Sequence, residues 1–431
     1  MKNMDAPVIL DSGQISWMVS MIYLGHLISP IPSGMMMDKY GRKQAILLLA
    51  LLPLISWLMI FCTASATSLY IARFIAGLWA GATSTIIPIY IGEIAEPKLR
   101  GSLTMFTHLM RNFGVLLVYF VGPYVSYSEL AMSCAILTFL FIVSFAFLPE
   151  SPHYLLMHGK EEQAYKSLNW LRGSRGNASV NDELHKMKEA MNKQLMNKGS
   201  FKDVWNNKGN RKAFIISEVY SVTKRLTGSG VLQAYVSMTL PALTFGIFNP
   251  DDCAIILGLI SLISSVTSVF LAVHFNRRCL ITVSSAGCAL TMALVSTWFY
   301  LRDTDYDVQR YSDWLFISYI LYNSTFSLGL GPIGTSMKGE LFAANVKAIC
   351  SSLTTIFVAI TSFILNKFFL VIAESFGMHV NFMIYSLSCI FTIIFTWAYV
   401  PETQGKSLEE IQNLLQGTSR KLSKKTHKKQ I

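Results

Sequence analysis

Pro149-Glu150-Ser151-Pro152 and Pro401-Glu402-Thr403-Gln404-Gly405-Lys406 stand 252 positions apart, and each closes a long apolar run. Roughly the same interval relates other charged motifs. Glu93 and Arg100-Gly101 are echoed by Glu340 and Lys347, and Gly41-Arg42-Lys43 by Asn276-Arg277-Arg278. The chain therefore reads as a duplication. Two similar apolar halves, each with charges gathered at one face, are what a membrane protein needs if it is to rock about a central site.

Hydrophobic residues make up 52% of the 431 positions and charged residues 14%, against about 25% charged in an ordinary soluble domain. Such a composition predicts an integral membrane protein built from α-helices. A helix crosses the hydrocarbon core in about 20 residues. Runs of that kind lie at 16–37, 45–63, 69–92, 103–124, 129–148, 213–240, 253–275, 280–301, 314–337, 351–373 and 381–400, which is eleven spans.

Lysine and arginine set the orientation, because basic connecting segments stay on the cytoplasmic side. Segments 38–44, 93–102, 149–212, 276–279, 338–350 and 401–431 hold 28 of the 36 Lys and Arg, whereas the opposite segments hold Lys2, Arg302 and Arg310. The C-terminus is thus expected in the cytoplasm. The formal charge of +11 reads first as a topology signal, and nucleic acid is not an expected partner. An odd span count with a cytoplasmic C-terminus puts the polar start outside, so a first helix is expected to be missing from an originally twelve-span chain. The seven cysteines are scattered without CxxC spacing and read as small apolar residues.

The polar stretch 149–212 divides five spans from six, giving expected domains of 1–148, 149–212, 213–400 and 401–431. Gly173-Ser174-Arg175-Gly176 reads as a turn between short surface helices at about 159–171 and 180–197. The tail begins helical, with Leu408, Ile411, Leu414 and Leu415 on one face, and ends in the basic run Arg420 to Lys429. That run has two readings, a seat for anionic inner-leaflet lipid or a solvated tail. Gly329-Leu330-Gly331-Pro332-Ile333-Gly334 matches a dinucleotide fingerprint in letters only, since no strand precedes it. Inside a span, Gly331 and Pro332 instead predict a bend, and Gly228 and Gly230 predict another.

On these motifs the chain resembles the sugar porters of the major facilitator superfamily, in particular the insect facilitated trehalose transporter-like group. The residues that carry the resemblance are Gly34 with Asp38-Lys39-Tyr40-Gly41-Arg42-Lys43, Arg73-Phe74 with Gly77 and Gly81, Pro88 and Tyr90 with Glu93 through Arg100-Gly101, and the two Pro-Glu motifs. The resemblance implies two six-helix bundles around a central cavity that opens to alternate faces, here with the first helix apparently missing. It also implies loss of most usual sugar contacts. Where the family has two glutamines and an asparagine, this chain has Lys224-Arg225-Leu226-Thr227-Gly228-Ser229-Gly230. His108 replaces a glutamine, Thr335 and Gly334 replace a tryptophan and a proline, Val358-Ala359 replaces an Asn-Trp pair, and His153 replaces an arginine.

Read as charges, Asp38, Glu93, Glu150, Glu340 and Glu402 face Arg42, Lys43, Arg100, Arg277, Arg278 and Lys347 in one thin layer. Pairs across the two bundles would form a cytoplasmic gate. Each exposed pair contributes only about 0–1 kcal/mol, which suits a reversible cycle. The alternative is ordinary charge balance beside loops.

Ionisable residues within a span are costly and point to function. The candidates are His26, Arg73, His108, Arg111, Glu218, Lys224 and Arg225, of which one is acidic. His108, Lys224 and Arg225, with Thr227, Gln233, Tyr235 and Thr335, are the substrate-binding candidates. The alternative for Lys224 and Arg225 is snorkelling or pairing with Glu218. No catalytic, metal or cofactor constellation is present, so the protein is expected to be no enzyme. The leading function is facilitative transport of a sugar, trehalose or hexose in class, across the plasma membrane. The alternatives are a non-transporting sugar sensor and a transporter of anionic or polar solutes.

Overall fold

The structure is a computed structural model that describes residues 8–62, 65–96, 99–173, 177–196, 201–240, 248–304, 306, 308, 311–331, 341–342, 346–402, 410–411 and 414–415. Every secondary-structure element among them is helical. In chain order these are α1 Ser12–Ile28, α2 Pro30–Tyr40, α3 Arg42–Leu49, α4 Leu51–Cys62, α5 Ala66–Ile94, α6 Arg100–Val121, α7 Tyr127–Ala146, α8 Pro152–Met157, α9 Glu161–Leu171 and α10 Asn177–Met196. Then follow α11 Phe201–Asn206, α12 Lys208–Leu226, α13 Ser229–Thr239, α14 Pro250–His274, α15 Arg277–Asp303, α16 Ser312–Leu328, α17 Lys347–Phe376 and α18 Met378–Tyr399.

Among the described residues seven helices are long and apolar enough to cross a membrane, and the bent pair α1–α2 makes an eighth if it is one span. The sequence reads that pair as a single run. It bends by 46° where Pro30 opens α2, because proline has no N–H to continue the ladder. Helix α7 shows what surrounds these spans. Leu137, Phe139 and Leu140 are each more than half exposed, an apolar surface suited to lipid and unsuited to water.

The chain forms two compact units, one of Met1–Thr107 with Tyr124–Lys198 and one of His108–Pro123 with Gly199–Ile431. In this grouping most of α6 goes with the second unit, and α8, α9 and α10 go with the first.

In the first unit α1 and α5 meet backbone to backbone. A Cβ at Gly25 would lie 2.2 Å from the Phe74 carbonyl oxygen, and one at Gly77 would lie 2.1 Å from that of Ile22. Small residues are what let helices approach this closely where no hydrophobic force separates lipid from protein. Outside the spans, α8, α9 and α10 build a small core of Tyr154, Leu155, Leu156, Ala164 and Met191. Buried Arg172 fastens that core, donating to both Glu183 oxygens and to the Ile94 carbonyl at the end of α5. The short helices expected at 159–171 and 180–197 are α9 and α10.

In the second unit α15 and α18 pack through Phe299 stacked on Phe382 at 5.1 Å and the Ser386 hydroxyl donating to the Ala289 carbonyl at 2.8 Å. The run 213–240 is two helices. Gly228 separates α12 from α13 in the left-handed region, at φ +85°, and the Tyr385 ring occupies the place of a Cβ, 2.5 Å away. A side chain at 228 would meet both strain and a clash.

Candidate functional site

Three charged clusters stand out, one in the first unit and two in the second. The first is organised by Glu150. Its carboxylate accepts the backbone amides of Arg42 at 2.9 Å, Lys43 at 3.0 and 3.1 Å and Ser151 at 2.8 Å. It therefore caps the start of α3 from 108 residues further along the chain, satisfying N–H groups that have no helical partner and meeting the positive end of the helix dipole. Gly41 makes room for it. Its φ is +100°, and a Cβ there would sit 2.3 Å from Glu150 Oε2.

Behind this cap lies a buried ion pair. Arg42, 5% exposed, donates from Nε to both oxygens of Glu93, 12% exposed, and from Nη2 at 2.8 Å. The two-pronged geometry is the strong form of an arginine–carboxylate contact. The guanidinium also faces the Tyr154 ring at 5.4 Å. Ser151 donates its hydroxyl to Glu93, and Tyr90 donates to the Pro149 carbonyl at 2.8 Å. His153 lies 3.6 Å from Glu93. Burial holds the imidazole below its ordinary value, opposed by Glu93 and reinforced by Arg42. Asp38, by contrast, is 67% exposed and 3.5 Å from Arg42.

The second unit repeats the cap. Glu402 accepts the amides of Arg277 and Arg278, both at 3.2 Å, at the start of α15. Arg278 turns to Trp397, over its ring at 4.9 Å and onto its carbonyl at 2.9 Å. Glu340 lies outside the described residues. Arg100 opens α6 and Lys347 opens α17, with side chains also outside them. Each pair named here lies within one unit.

The third cluster is where α12 ends. Lys224 donates its ammonium to the Gly331 carbonyl, just beyond α16. Lys224, Arg225 and His108 are all half-buried. His108 and Arg111 lie three residues apart on α6. Glu218, the acid on the same helix, accepts from the Thr354 hydroxyl of α17 at 2.5 Å.

The other binding candidates are placed differently. Thr227 is fully buried; its hydroxyl donates to the Lys224 carbonyl at 2.8 Å, and its own carbonyl accepts from Tyr322 at 2.9 Å. Tyr235 is buried against Phe369, with its hydroxyl on the Asn366 carbonyl. Gln233 is exposed, and its carbonyl accepts from Tyr119. Gly230 lies in the first turn of α13. Thr335 and Pro332 lie outside the described residues.

A polar ladder that sequence reasoning missed joins α6, α14 and α16. Asn112 of α6 donates to Ser265 of α14 at 2.6 Å, and Ser261, one turn earlier, donates to Asn323 of α16 at 3.1 Å. Only the polar letters inside apolar runs signalled it.

A profile described as "Sugar (and other) transporter" matches residues 2–415. The chain belongs to the sugar (and other) transporter family. It is 31% identical over 413 residues to the facilitated trehalose transporter Tret1 of Anopheles gambiae, covering 95% of this chain and 51% of that protein. With the Culex quinquefasciatus protein of the same name it shares 30%, covering 78% of it. The chain thus spans from about half to about three quarters of these two relatives. Solved structures of a xylose transporter share its fold. The partially occluded inward-open xylose transporter XylE of E. coli superposes with a TM-score of 0.77 at 22% identity, over 94% of this chain and 92% of that one. Its inward-open form gives 0.78 at 21%. The protein is accordingly a multi-pass membrane member of the family, with the all-helical fold of the major facilitator sugar porters.

Proposed function

We propose that this chain carries a sugar of the trehalose or hexose class across the plasma membrane by facilitative alternating access. The observation that carries this reading is the repeated cap. In both halves a Pro-Glu carboxylate holds the start of an arginine-led helix, at Arg42 and again at Arg277. A duplicated pair of charge-fastened bundles is the architecture that alternating access uses. The names of the relatives supply the solute class.

In this reading the chain crosses the membrane eleven times, counting α6, α12 with α13, and α16 beside the seven long spans and the bent pair. Segments 1–148 and 213–400 act as the bundles, 149–212 as the cytoplasmic linker, and 401–431 as a cytoplasmic tail able to meet anionic lipid. The charged caps form the cytoplasmic gate, from Asp38, Arg42, Lys43, Glu93, Arg100 and Glu150 to Arg277, Arg278, Glu340, Lys347 and Glu402. His108, Lys224, Arg225 and their polar neighbours line the solute path.

The test is uptake of radiolabelled trehalose and glucose into proteoliposomes. Saturable entry that stops at equal concentrations, and that a protonophore leaves unchanged, is the expected result. Accumulation above the external level overturns the facilitative part, and absence of flux for every solute tried overturns transport.

A further inference from the structure

We infer that the first unit holds a binding site for the phosphorylated inositol headgroup of an anionic membrane lipid, in the cavity between the end of α2, the start of α3 and the start of α9. The site lies beyond the transport reading and takes from it only the orientation that puts this face in the cytoplasm.

Depth comes first. The cavity measures about 540 Å³, within the range of about 300–1,000 Å³ that encloses one small organic ligand. Leu47 and Ala146 line it from two of the membrane spans, Arg42–Cys62 and Tyr127–Ala146. Leu47 stands five residues into its span, about 7.5 Å along the axis, and Ala146 is the last residue of the other. Tyr154 and Leu155 line it from α8, and Lys160 and Gln163 from the start of α9, outside the spans. A cavity that begins within apolar helix and ends among surface helices lies at the level of the lipid headgroups. Leu48 and Phe147, next in the chain to the two span residues, are 49% and 79% exposed. They offer apolar surface to acyl chains.

Charge comes second. Three lysines line the cavity, Lys39, Lys43 and Lys160, against one acid, Glu150. That acid is already engaged by the amides of Arg42, Lys43 and Ser151. Lys39 lies over the Tyr40 ring at 5.2 Å, a contact that leaves its charge whole. The acids beside these lysines in the chain are paired elsewhere, Asp38 with Arg42, Glu161 with Lys188 and Glu162 with Lys166. Lys160 precedes α9, which starts without a side-chain cap, so the first amides of that helix add to the attraction for a phosphate.

Neutral groups complete the wall. Gln44 and Gln163 are exposed amides that both donate and accept, as ring hydroxyls require. The Tyr154 hydroxyl donates to the Lys39 carbonyl at 3.2 Å, which fixes the end of α2 against α8. Basic pockets beside membrane helices on the cytoplasmic side take phosphorylated headgroups. Ammonium groups for phosphate and amides for hydroxyls select a phosphoinositide over phosphatidylserine.

The probes are a short-chain phosphatidylinositol phosphate, phosphatidylserine with the same chains, and inositol bisphosphate without chains. Titrated onto the full chain in detergent, the phosphoinositide is expected to bind at least about tenfold more tightly than phosphatidylserine, the lower end of what one charged hydrogen bond provides. Lys39→Gln with Lys160→Gln, both at exposed positions, should weaken that binding about tenfold or more and leave the melting temperature of the lipid-free protein in place. Gln163→Glu, which sets an acid in the wall, should weaken it as well. Changing Lys424, Lys425, Lys428 and Lys429 of the tail together to glutamine separates the cavity from the basic run. Binding that the cavity variants leave unchanged, or that the tail variant alone removes, overturns the inference, and so does equal affinity for the two lipids. Inositol bisphosphate bound as tightly as the phosphoinositide overturns the membrane source and assigns the cavity to a soluble phosphate. Sugar flux is not the readout, so a failure of transport leaves the lipid site standing.

Discussion

The two Pro-Glu caps do the same work with different support. At Glu150 the capped helix start is followed by a buried arginine that grips a second acid, Glu93, and by a glycine whose backbone lets the carboxylate in. At Glu402 the position of Gly41 is taken by Asn276 with an ordinary backbone, and Arg278, in the register of Lys43, lies over the exposed ring of Trp397. The amide contacts are also longer, 3.2 Å against 2.8–3.1 Å. A duplicated element can thus keep its backbone chemistry while the side chains around each copy differ.

Arg42→Ala should show the largest difference. It strands Glu93 in a buried place, an effect of about 3–5 kcal/mol, whereas Arg278→Ala removes a partly exposed ring contact and should cost about 0.5–1 kcal/mol. Thermal unfolding of the detergent-solubilised protein measures both; equal shifts would erase the contrast. Next come the caps themselves. Glu150→Gln should cost about 1–2 kcal/mol and Glu402→Gln less, because charge and several amide bonds are lost at the first and fewer, longer ones at the second. The same melts rank them, and a larger loss at Glu402 would reverse the comparison.

A pH series sharpens it further. Burial keeps His153 neutral in the folded protein, below its ordinary value. A depressed value means that folding is favoured above the unfolded titration and that this contribution is lost as pH falls through the folded one. Melting temperature should therefore drop on going from pH 7.5 towards pH 5, with a smaller slope in His153→Gln. The smallest effect is expected at Asp38→Asn, under about 0.5 kcal/mol, since an exposed carboxylate 3.5 Å from its partner contributes little.

Much of this was legible beforehand. Every long span falls on a run of apolar letters, and the Pro-Glu motifs lie at the two caps. Three features were hidden for physical reasons. The sequence reads charges as a layer whose pairs cross between bundles, but capping by Glu150 depends on amide groups, and no side-chain letter at 42 or 43 announces it. Thr227 and Tyr235 look like hydroxyl-binding groups, yet a hydroxyl in a span can equally satisfy a nearby carbonyl, and both do so here. The partnership of Asn112 and Ser265 joins positions 153 residues apart, beyond the reach of any local pattern.

Gly25 and Gly77 leave α1 and α5 no slack between their backbones. Helix α5 is 29 residues long, so it runs about 43 Å, and Glu93 sits at its far end. The glycine contact with α1 and the carboxylate that Arg42 grips thus share one helix, with Pro88 between them removing one rung of its hydrogen-bond ladder.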